Sequence, residues 1–297
     1  MNRKTFLKQA GFLTAGSFLT PSFLKLLNQN GPFHPMRNGV GYFTGRGGTI
    51  GWHITPESIV VIDSQFENTA QDFMSGIFDF GEGGSERYLF NTHHHGDHIS
   101  GNRVFQSDNF EVIAHQNVPD LQLAGADPQT AVTATRTFSD ELSVNSGDER
   151  VTARHYGPAH TGGDSVIWFE NANIAHMGDL IFNRWYPFID RDGGASIENW
   201  ITTLETVVDE SDSDTQFIFG HANSEYGVTG HQADVLYMRD YLSKLLDYTS
   251  EGISAGNSLE ELTAIEQFDE FADHQSAGAR LSLPSNIEVA YAELTAE

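Results

Sequence analysis

The feature that most constrains this chain is a dense run of metal-ligand residues between Thr92 and His98, with the sequence THHHGDH. It directly follows a short apolar segment, Arg87–Asn91, which predicts a β-strand. A tight loop after a strand can turn alternate side chains towards neighbouring cations, and zinc favours imidazole nitrogen and carboxylate oxygen. Histidine runs also occur as fortuitous surface tracts, so the run alone leaves two interpretations open.

Three later positions favour the interpretation as a metal site. His160 lies in GPAHTGGD, Asp179 in HMGDLIF and His221 in FGHAN. Each follows a predicted strand and has glycine or another small residue beside it, and glycine allows the backbone to approach a site closely. We therefore expect these residues to join those of the histidine run around one or two cations.

The spacing of apolar residues predicts strands and helices separated by turns rich in Gly and Pro. Short β-rich runs dominate residues 39–63 and recur before each candidate ligand. The predicted helices are Thr69–Phe80, Asn117–Leu123, Ile197–Val208, Gln232–Thr249 and Leu259–Phe268. Strand-rich regions separated by helices indicate an α+β or sandwich architecture, in which helices cover packed sheets.

The order of the candidate ligands, H-x-H-x-D-H followed by a lone His, a lone Asp and a final His, resembles the metallo-β-lactamase superfamily. The resemblance runs through GRGGTIG, VVIDSQF, NTHHHGDHISGN, GPAHTGGDSVIWF and HMGDLIF, and covers nearly all of residues 39–225. It implies an α+β fold, a four-layer αββα sandwich, with two divalent metal ions, expected to be Zn²⁺, at one edge of the sheets. The implied ligands of the first ion are His93, His95 and His160. Those of the second are Asp97, His98 and His221, and Asp179 bridges the two.

The resemblance also suggests roles for neighbouring residues. His94 falls at a non-ligand position and is expected to form hydrogen bonds or to face the substrate. Asp63 matches a position that supports the metal-binding loops, although a surface or capping role fits it nearly as well. Arg184, Trp185 and Tyr186 are expected to form part of a substrate wall. There Tyr186 would serve as an oxyanion donor and Arg184 as a carboxylate receptor; a buried aromatic cluster is the alternative.

For function, the implied ligand set suggests a hydroxide between two metals that opens a cyclic amide or ester, of β-lactam or lactone type. Asp97 would orient the nucleophile or carry its proton. The chain departs from the cysteine-bearing β-lactamases, because Asp179 replaces their cysteine and Phe182 replaces a substrate-binding lysine. A glyoxalase II-like thiolesterase and an iron-dependent oxygenase on the same fold remain alternatives. The few basic residues after position 232 disfavour the first, and the complete ligand set disfavours the second.

The balance of charge narrows the choice of partners. Lys and Arg total 16 against 41 Asp and Glu, which gives a formal net charge of -25. Such a surface repels phosphate backbones, so we expect a small-molecule substrate and no nucleic acid. A solvated acidic surface and an adaptation to high salt both explain the excess of acids. The absence of cysteine excludes disulfides, thiolate zinc ligands and a cysteine nucleophile.

Residues 1–27 have the composition of a targeting segment. A basic start, MNRKTFLK, precedes the largely apolar QAGFLTAGSFLTPSFLKLL. The segment resembles a twin-arginine export signal in which Lys4 replaces the second arginine; an uncleaved N-terminal membrane anchor is the alternative. We expect an exported protein, periplasmic or extracellular, with membrane contact only through this segment. The catalytic domain is expected over residues 33–297.

Overall fold

The structure is a computed structural model that describes residues 31–125 and 129–296. Pro32–Glu297 form a compact unit. The export signal predicted for residues 1–27 lies outside the described residues. No helix in the described part of the chain is long and apolar enough to cross a membrane.

Among the described residues, seven strands form a first sheet and follow one another in chain order. They are β1 (Phe33–Pro35), β2 (Val40–Phe43), β3 (Ile50–Ile54), β4 (Ser58–Ile62), β5 (Glu86–Phe90), β6 (Glu111–His115) and β7 (Arg136–Phe138). Neighbours are antiparallel from β1 to β4 and parallel from β4 to β7. The carboxyl ends of β4, β5 and β6 therefore meet at one edge of this sheet.

A second sheet takes most of the remaining described strands. They are β8 (Glu141–Ser146), β9 (Glu149–Arg154), β10 (Val166–Phe169), β11 (Ile174–His176), β12 (Phe182–Asn183), β13 (Gln216–Ile218), β14 (His221–Ala222) and β15 (Thr229–Gly230). The sheet order is β15-β13-β11-β10-β9-β8, and β12 pairs separately with β14. Because β9, β11 and β13 run in the same direction, their carboxyl ends also meet at one edge.

Helices cover the outer face of each sheet. Within the described ranges they are α1 (Glu67–Ile77), α2 (Gly96–Ile99), α3 (Asn102–Ser107), α4 (Val118–Gly125), α5 (Ile197–Glu210), α6 (Gln232–Ser254), α7 (Leu259–Leu262) and α8 (Leu283–Leu294). Short 3-10 turns lie at Gly178–Leu180 and Asp269–Phe271. The helix predicted over Leu259–Phe268 is wrong beyond its first turn, and α8 follows where no helix was predicted.

The alternation of side chains along β4 shows how the layers are built. Every residue of this strand is buried. Ile59 and Val61 pack with Phe73 of α1 on one side, whereas Val60 and Ile62 pack between the two sheets on the other. A strand covered on both faces carries an unbroken apolar run, which explains the sequence IVVI from Ile59 to Ile62.

A third apolar cluster lies between the second sheet and the helices α5, α6 and α8. Trp200, Leu242 and Ile287 contribute to it from the three helices, and Phe217 from β13. Three apolar interfaces therefore separate four layers in the order helices, sheet, sheet, helices. The predicted α+β fold, an αββα sandwich, is confirmed.

Candidate metal centre

The structure brings all of the predicted ligand side chains together where the carboxyl ends of the two sheets meet. From the first sheet come His93, His95, Asp97 and His98, which follow β5. After strands of the second sheet come His160, which follows β9, Asp179 in the turn after β11, and His221, which follows β13 and begins β14. Their nitrogen and oxygen atoms form two groups, and within each group the atoms lie within 4.8 Å of one another.

The first group consists of His93, His95, His160 and Asp179. His95 Nδ1 lies 3.1 Å from His93 Nε2 and 3.0 Å from His160 Nε2. Asp179 Oδ2 lies 3.7 Å from His93 Nε2 and 3.6 Å from His160 Nε2. These separations suit tetrahedral coordination, because ligands about 2 Å from zinc lie ~3.3 Å from one another.

The second group consists of Asp97, His98 and His221. His221 Nε2 lies 3.0 Å from Asp97 Oδ2 and 3.3 Å from His98 Nε2. His98 is fully buried, whereas the side chains of His221 and Asp97 are 17% and 31% exposed. This group therefore has an inner ligand and two ligands that reach the surface of a pocket.

Asp179 lies between the two groups. Its Oδ1 is 3.0 Å from His98 Nε2, and its Oδ2 is 3.4 Å from His221 Nε2 as well as facing the first group. Gly220 makes this position possible, because a Cβ atom there would overlap Asp179 Oδ1 and the carbonyl of Gly178. A carboxylate that faces both groups is suited to bridge two ions.

The donor atoms of the centre fit cations better than they fit one another. Imidazole nitrogens face each other at 3.0–3.3 Å, and each such pair can share only one proton. Asp179 Oδ1 is buried and makes no hydrogen bond with the described residues. A divalent cation in each group would accept these lone pairs. It would thus give the buried polar atoms the partner that they otherwise lack.

Most of these imidazoles also direct their second ring nitrogen to an oxygen. The pairs are His93 Nδ1 with Thr92 Oγ1 at 3.0 Å, His95 Nε2 with Asp190 Oδ2 at 2.8 Å, His98 Nδ1 with Asp63 Oδ2 at 2.8 Å, and His160 Nδ1 with the Phe188 carbonyl at 2.7 Å. Such hydrogen bonds fix the tautomer and aim the remaining nitrogen at a metal.

Asp63 supports the ligand loops from the end of β4. Its Oδ1 accepts the backbone N–H of Thr92, and its Oδ2 accepts from the Thr92 hydroxyl and from His98, each at 2.8 Å. The residue is fully buried and has a φ of 62°, which is uncommon for a residue other than glycine. The structure therefore assigns Asp63 to loop support instead of a surface or capping role.

Asp190 is a residue of the centre that the sequence did not reveal. Its Oδ2 lies 2.8 Å from His95 Nε2 and 3.4 Å from His94 Nε2, and its Oδ1 accepts the N–H of Gly193 at 3.1 Å. A Cβ at Gly193 would overlap the Asp190 carboxylate. The Gly193-Gly194 pair signals a turn in the sequence, but it does not say which carboxylate the turn delivers.

Burial and charge move the histidine pKa values in opposite directions. Burial holds the pKa of His93 well below its usual range and lowers the pKa of His160 to about 3. Burial acts in the same direction on His98 and His221, but Asp179 and neighbouring carboxylates outweigh it. They raise the pKa of His98 well above its usual range and that of His221 to about 9. Without metal, the second group therefore holds protons that a bound cation would displace.

A pocket of about 420 Å³ opens beside both groups. Candidate ligands form its floor, namely His95, Asp97, Asp179 and His221. Its walls are apolar and mainly aromatic, with Phe182, Trp185, Phe188 and Leu281. Arg280 is the cationic side chain among the described residues that line it. A molecule in this pocket would contact the candidate metal ligands directly.

Of the three residues predicted to form the substrate wall, the structure brings Trp185 to this pocket. Arg184 is held elsewhere, because its guanidinium lies 3.2 Å from Asp234 Oδ1 and 3.6 Å from the centre of the Tyr237 ring. Tyr186 is buried, and its hydroxyl donates to the carbonyl of Glu266 at 3.5 Å. The alternative interpretation, a buried aromatic cluster, describes Tyr186 better.

His94 lies on the other side of the centre. It lines a second cavity, of about 570 Å³, together with Arg103 and Asp190. Its Nδ1 is buried without a hydrogen bond to the described residues, and its Nε2 lies beside Asp190. His94 therefore borders this second cavity, next to the candidate ligand His95.

Residues 50–221 of the chain match the metallo-beta-lactamase superfamily. The chain belongs to this superfamily. The match runs from β3 to the start of β14 and includes every candidate ligand. Members of the metallo-beta-lactamase superfamily are mostly metal-dependent hydrolases, and the groups of His and Asp in this chain agree with metal binding.

Similar proteins span several activities. The chain is 29% identical over 92 residues to the alpha subunit of 2,4-dinitroanisole O-demethylase from Nocardioides sp. The matched stretch covers 31% of this chain and 28% of that protein. It is 29% identical over 93 residues to hydroxyacylglutathione hydrolase from Synechocystis sp., covering 31% and 33%. The matched region thus spans about a third or less of each of these relatives.

A solved structure shows the same fold over a larger part of the chain. The metallo-beta-lactamase from Pontibacter korlensis superposes with a TM-score of 0.61 and 15% identity, covering 71% of this chain and 98% of that protein. At this identity the likeness concerns the fold alone.

Proposed function

We propose that the chain is a dinuclear zinc-dependent hydrolase that opens a cyclic amide or ester. The observation that carries this proposal is the position of Asp179, whose carboxylate lies 3.0 Å from His98 and within 3.7 Å of His93. A carboxylate shared between two histidine groups suits two divalent ions side by side, and this donor set suits zinc. The superfamily supports metal-dependent hydrolysis in general.

The proposed mechanism needs a nucleophile and a residue that orients it. Divalent ions held by the two groups would supply an acidified water, with a pKa towards ~7, and a Lewis acid for a substrate carbonyl. Asp97 is suited to orient that nucleophile, because its carboxylate lines the pocket floor. Burial acts to raise the pKa of Asp97, but the charge of His98 and the hydrogen bond from His221 lower it to about 2. The carboxylate is then ionised at neutral pH and accepts a hydrogen bond from the nucleophile.

The pocket favours a small substrate with an apolar part. Its volume of about 420 Å³ lies within the range of small-molecule sites. Phe182 and Trp185 offer flat apolar surfaces on which a ring and its substituents can pack. We therefore propose β-lactams and lactones, which place a reactive carbonyl on a small ring, as the substrate classes.

The test is metal content together with ring opening by the full chain. We expect about two zinc per chain and chelator-sensitive opening of a β-lactam or a lactone, with kcat/KM above ~10⁴ M⁻¹ s⁻¹. The panel includes a carbapenem, a penicillin and aliphatic lactones of several chain lengths. Asp97→Asn is expected to lower kcat by about 10²-fold or more. One iron per chain without ring opening would overturn the proposal and favour an oxygenase.

A thiolesterase is a second candidate, favoured by the similarity to hydroxyacylglutathione hydrolase. The same centre and pocket would serve a thioester, because the attacked group is again a carbonyl. A glutathione thioester therefore belongs in the panel. If its kcat/KM exceeds that of every lactone and β-lactam, the reaction class is thioester hydrolysis.

We also propose that the chain is exported and acts on a small molecule outside the cytoplasm. The support is the basic and then apolar composition of residues 1–27. In fractionated cells, the full chain should appear in the periplasm or the medium, and substitution of both Arg3 and Lys4 by Gln should retain it in the cytoplasm. Equal distribution of the two proteins would contradict export through this segment.

A further inference from the structure

Most described cationic side chains are paired with acids, as expected for so acidic a chain. Arg87 pairs with Asp108, for example, and Lys244 with Glu270. Within the described ranges, the arginines that have no carboxylate within 4.0 Å are Arg46, Arg103, Arg191 and Arg280. An unpaired cation on a surface of this charge remains available to an anionic ligand.

Arg280 is the member of this set that lines the pocket of the metal centre. Its guanidinium carbon lies 4.3 Å from the centre of the Phe188 ring, a distance typical of cation–π stacking. The centre of the same ring lies 5.4 Å from that of His95. One aromatic ring therefore separates the cation from a candidate metal ligand.

The segment that carries Arg280 is tied to the pocket wall. The N–H of Gln275 donates to the carbonyl of Arg184 at 3.0 Å, and that of Leu281 donates to Gly278 at 3.0 Å, closing a turn. Leu281 itself lines the pocket. The turn therefore presents the guanidinium at the pocket edge instead of leaving it on a free loop.

Acidic residues on the other side of Arg280 do not neutralise it. Asp190 and Asp192 line a smaller cavity that Arg280 also borders, and neither lies within 4.0 Å of its guanidinium. The Asp190 carboxylate is already engaged by His95 and by the N–H of Gly193. The guanidinium of Arg280 thus stacks on a wall residue of the pocket, Phe188, without a competing ion pair among the described residues.

We propose that Arg280 binds an anionic group of the substrate, a carboxylate or a sulfate, carried on an apolar substituent that lies along Phe188 and Trp185. This inference rests on the proposed hydrolase function, since the reacting carbonyl would lie over the pocket floor. A planar guanidinium offers two parallel donors to either oxyanion. The substrate class is therefore an amphiphilic one, with an ester or cyclic amide at one end and an anion at the other.

A binding experiment tests Arg280 without depending on catalysis. The probes are 1-anilinonaphthalene-8-sulfonate, an aromatic anion, and the neutral N-phenyl-1-naphthylamine, each titrated by fluorescence into the full chain. Arg280→Gln should weaken binding of the anion about tenfold, or about 1.4 kcal/mol, and leave the neutral probe within about twofold. Arg280→Lys should restore part of the loss, because it restores the charge.

The matched control is Arg136→Gln, which removes the same charge from an exposed residue that pairs with Glu111. It should change the affinity of neither probe. Equal effects of Arg280→Gln on both probes, or equal effects of the two variants on the anion, would overturn the inference. So would the absence of saturable binding of the anion to the unmodified chain.

Turnover separates a failure of this inference from a failure of the proposed function. The substrates are 4-nitrophenyl esters whose acyl chain ends in a carboxylate, a sulfate or a methyl ester. Arg280→Gln should lower kcat/KM about tenfold for an anionic ester and leave the neutral ester unchanged. If the unmodified chain and Arg280→Gln both hydrolyse the anionic and the neutral esters equally well, the proposed role of Arg280 is wrong and the proposed hydrolysis stands. If no ester, lactone or β-lactam shows chelator-sensitive turnover but Arg280→Gln still loses anion binding, the proposed hydrolysis is wrong and the role of Arg280 in anion binding stands.

Discussion

Asp190 carries the first prediction at the scale of single residues. Its carboxylate accepts from His95 Nε2 and so holds His95 Nδ1 towards the first group. We expect Asp190→Asn to lower zinc affinity by about 10- to 100-fold, as removal of such outer partners commonly does. Competition with a fluorescent chelator measures this affinity. The control is Asp192→Asn, an equal charge change at an exposed neighbour; equal effects of the two variants would contradict the role of Asp190.

Gly220 carries the second prediction. A Cβ atom at this position would overlap the Asp179 carboxylate, so Gly220→Ala must move the group that faces both halves of the centre. We expect this variant to bind fewer than two zinc per chain. Elemental analysis after dialysis gives the stoichiometry, and Gly125→Ala is the control because a Cβ there meets no atom of the described residues within 4 Å. Full stoichiometry in Gly220→Ala would show that the centre accommodates the methyl group.

The candidate ligands were predictable because the histidine run is local and the order of the later His, Asp and His resembles a known superfamily. Asp190 was not, because it belongs to no such motif and only the folded chain brings it to His95. Arg280 was not predictable for the same reason. Arg184 was expected at the substrate wall, and the sequence does not show that its guanidinium lies beside Asp234, at the start of α6.

At the scale of elements, α8 supports the start of α5. The Glu293 carboxylate accepts the N–H groups of Ile197 at 3.0 Å and of Glu198 at 3.2 Å. These donors have no partner within α5, and a negative charge at a helix N-terminus is favourable. We expect Glu293→Ala to lower the free energy of unfolding by about 1–2 kcal/mol. Urea denaturation measures it, with the exposed Glu288→Ala on the same helix as the control; an equal loss in both variants would contradict the capping role.

Two elements show why helix prediction failed in the last third of the chain. The apolar spacing over Leu259–Phe268 predicts a helix, but α7 ends at Leu262, where the Tyr248 hydroxyl donates to the Leu262 carbonyl at 3.0 Å. Phe268 still packs in the third apolar cluster, although it lies outside α7. For α8 the signals were present, with Ser282 as the N-cap and a proline in the first turn.

At the scale of the whole molecule, the protons of the second group link stability to pH. The pKa of His221 is raised from 6.5 to about 9, so its contribution to stability is complete below pH 6.5 and is lost as the pH rises through 9. His98, whose pKa is also raised, acts in the same direction. We expect the Tm of the metal-free chain to fall by about 5 °C between pH 6.5 and pH 9.

The zinc-loaded chain provides the comparison for this prediction. Its bound ions have displaced those protons, so its Tm should stay level or rise over the same pH interval. Calorimetry of both forms in matched buffers gives the two curves. If the metal-free chain instead gains stability as the pH rises, His98 and His221 do not hold the protons that their raised pKa values imply.

The spacing of apolar residues, as in β4 and the amphipathic α5, indicated sheets covered by helices, and the resemblance to the superfamily implied the four layers that the structure confirms. The pocket did not follow. Its walls come from two stretches that are far apart in the chain, namely β12 with the residues that follow it to Phe188, and the turn before α8. Cavities of this kind depend on tertiary packing that periodicity does not encode.

Several residues of the pocket wall lie outside the loops that carry the candidate ligands, and this separation bears on how the protein can diverge. Substitutions at Trp185, Arg280 or Leu281 change what the pocket accepts without altering a ligand, a strand end or the support from Asp63. Substrate preference could therefore change at these positions while the candidate ligands stay in place. The turn between Gln275 and Ser282 is one such place, because it carries both Arg280 and Leu281.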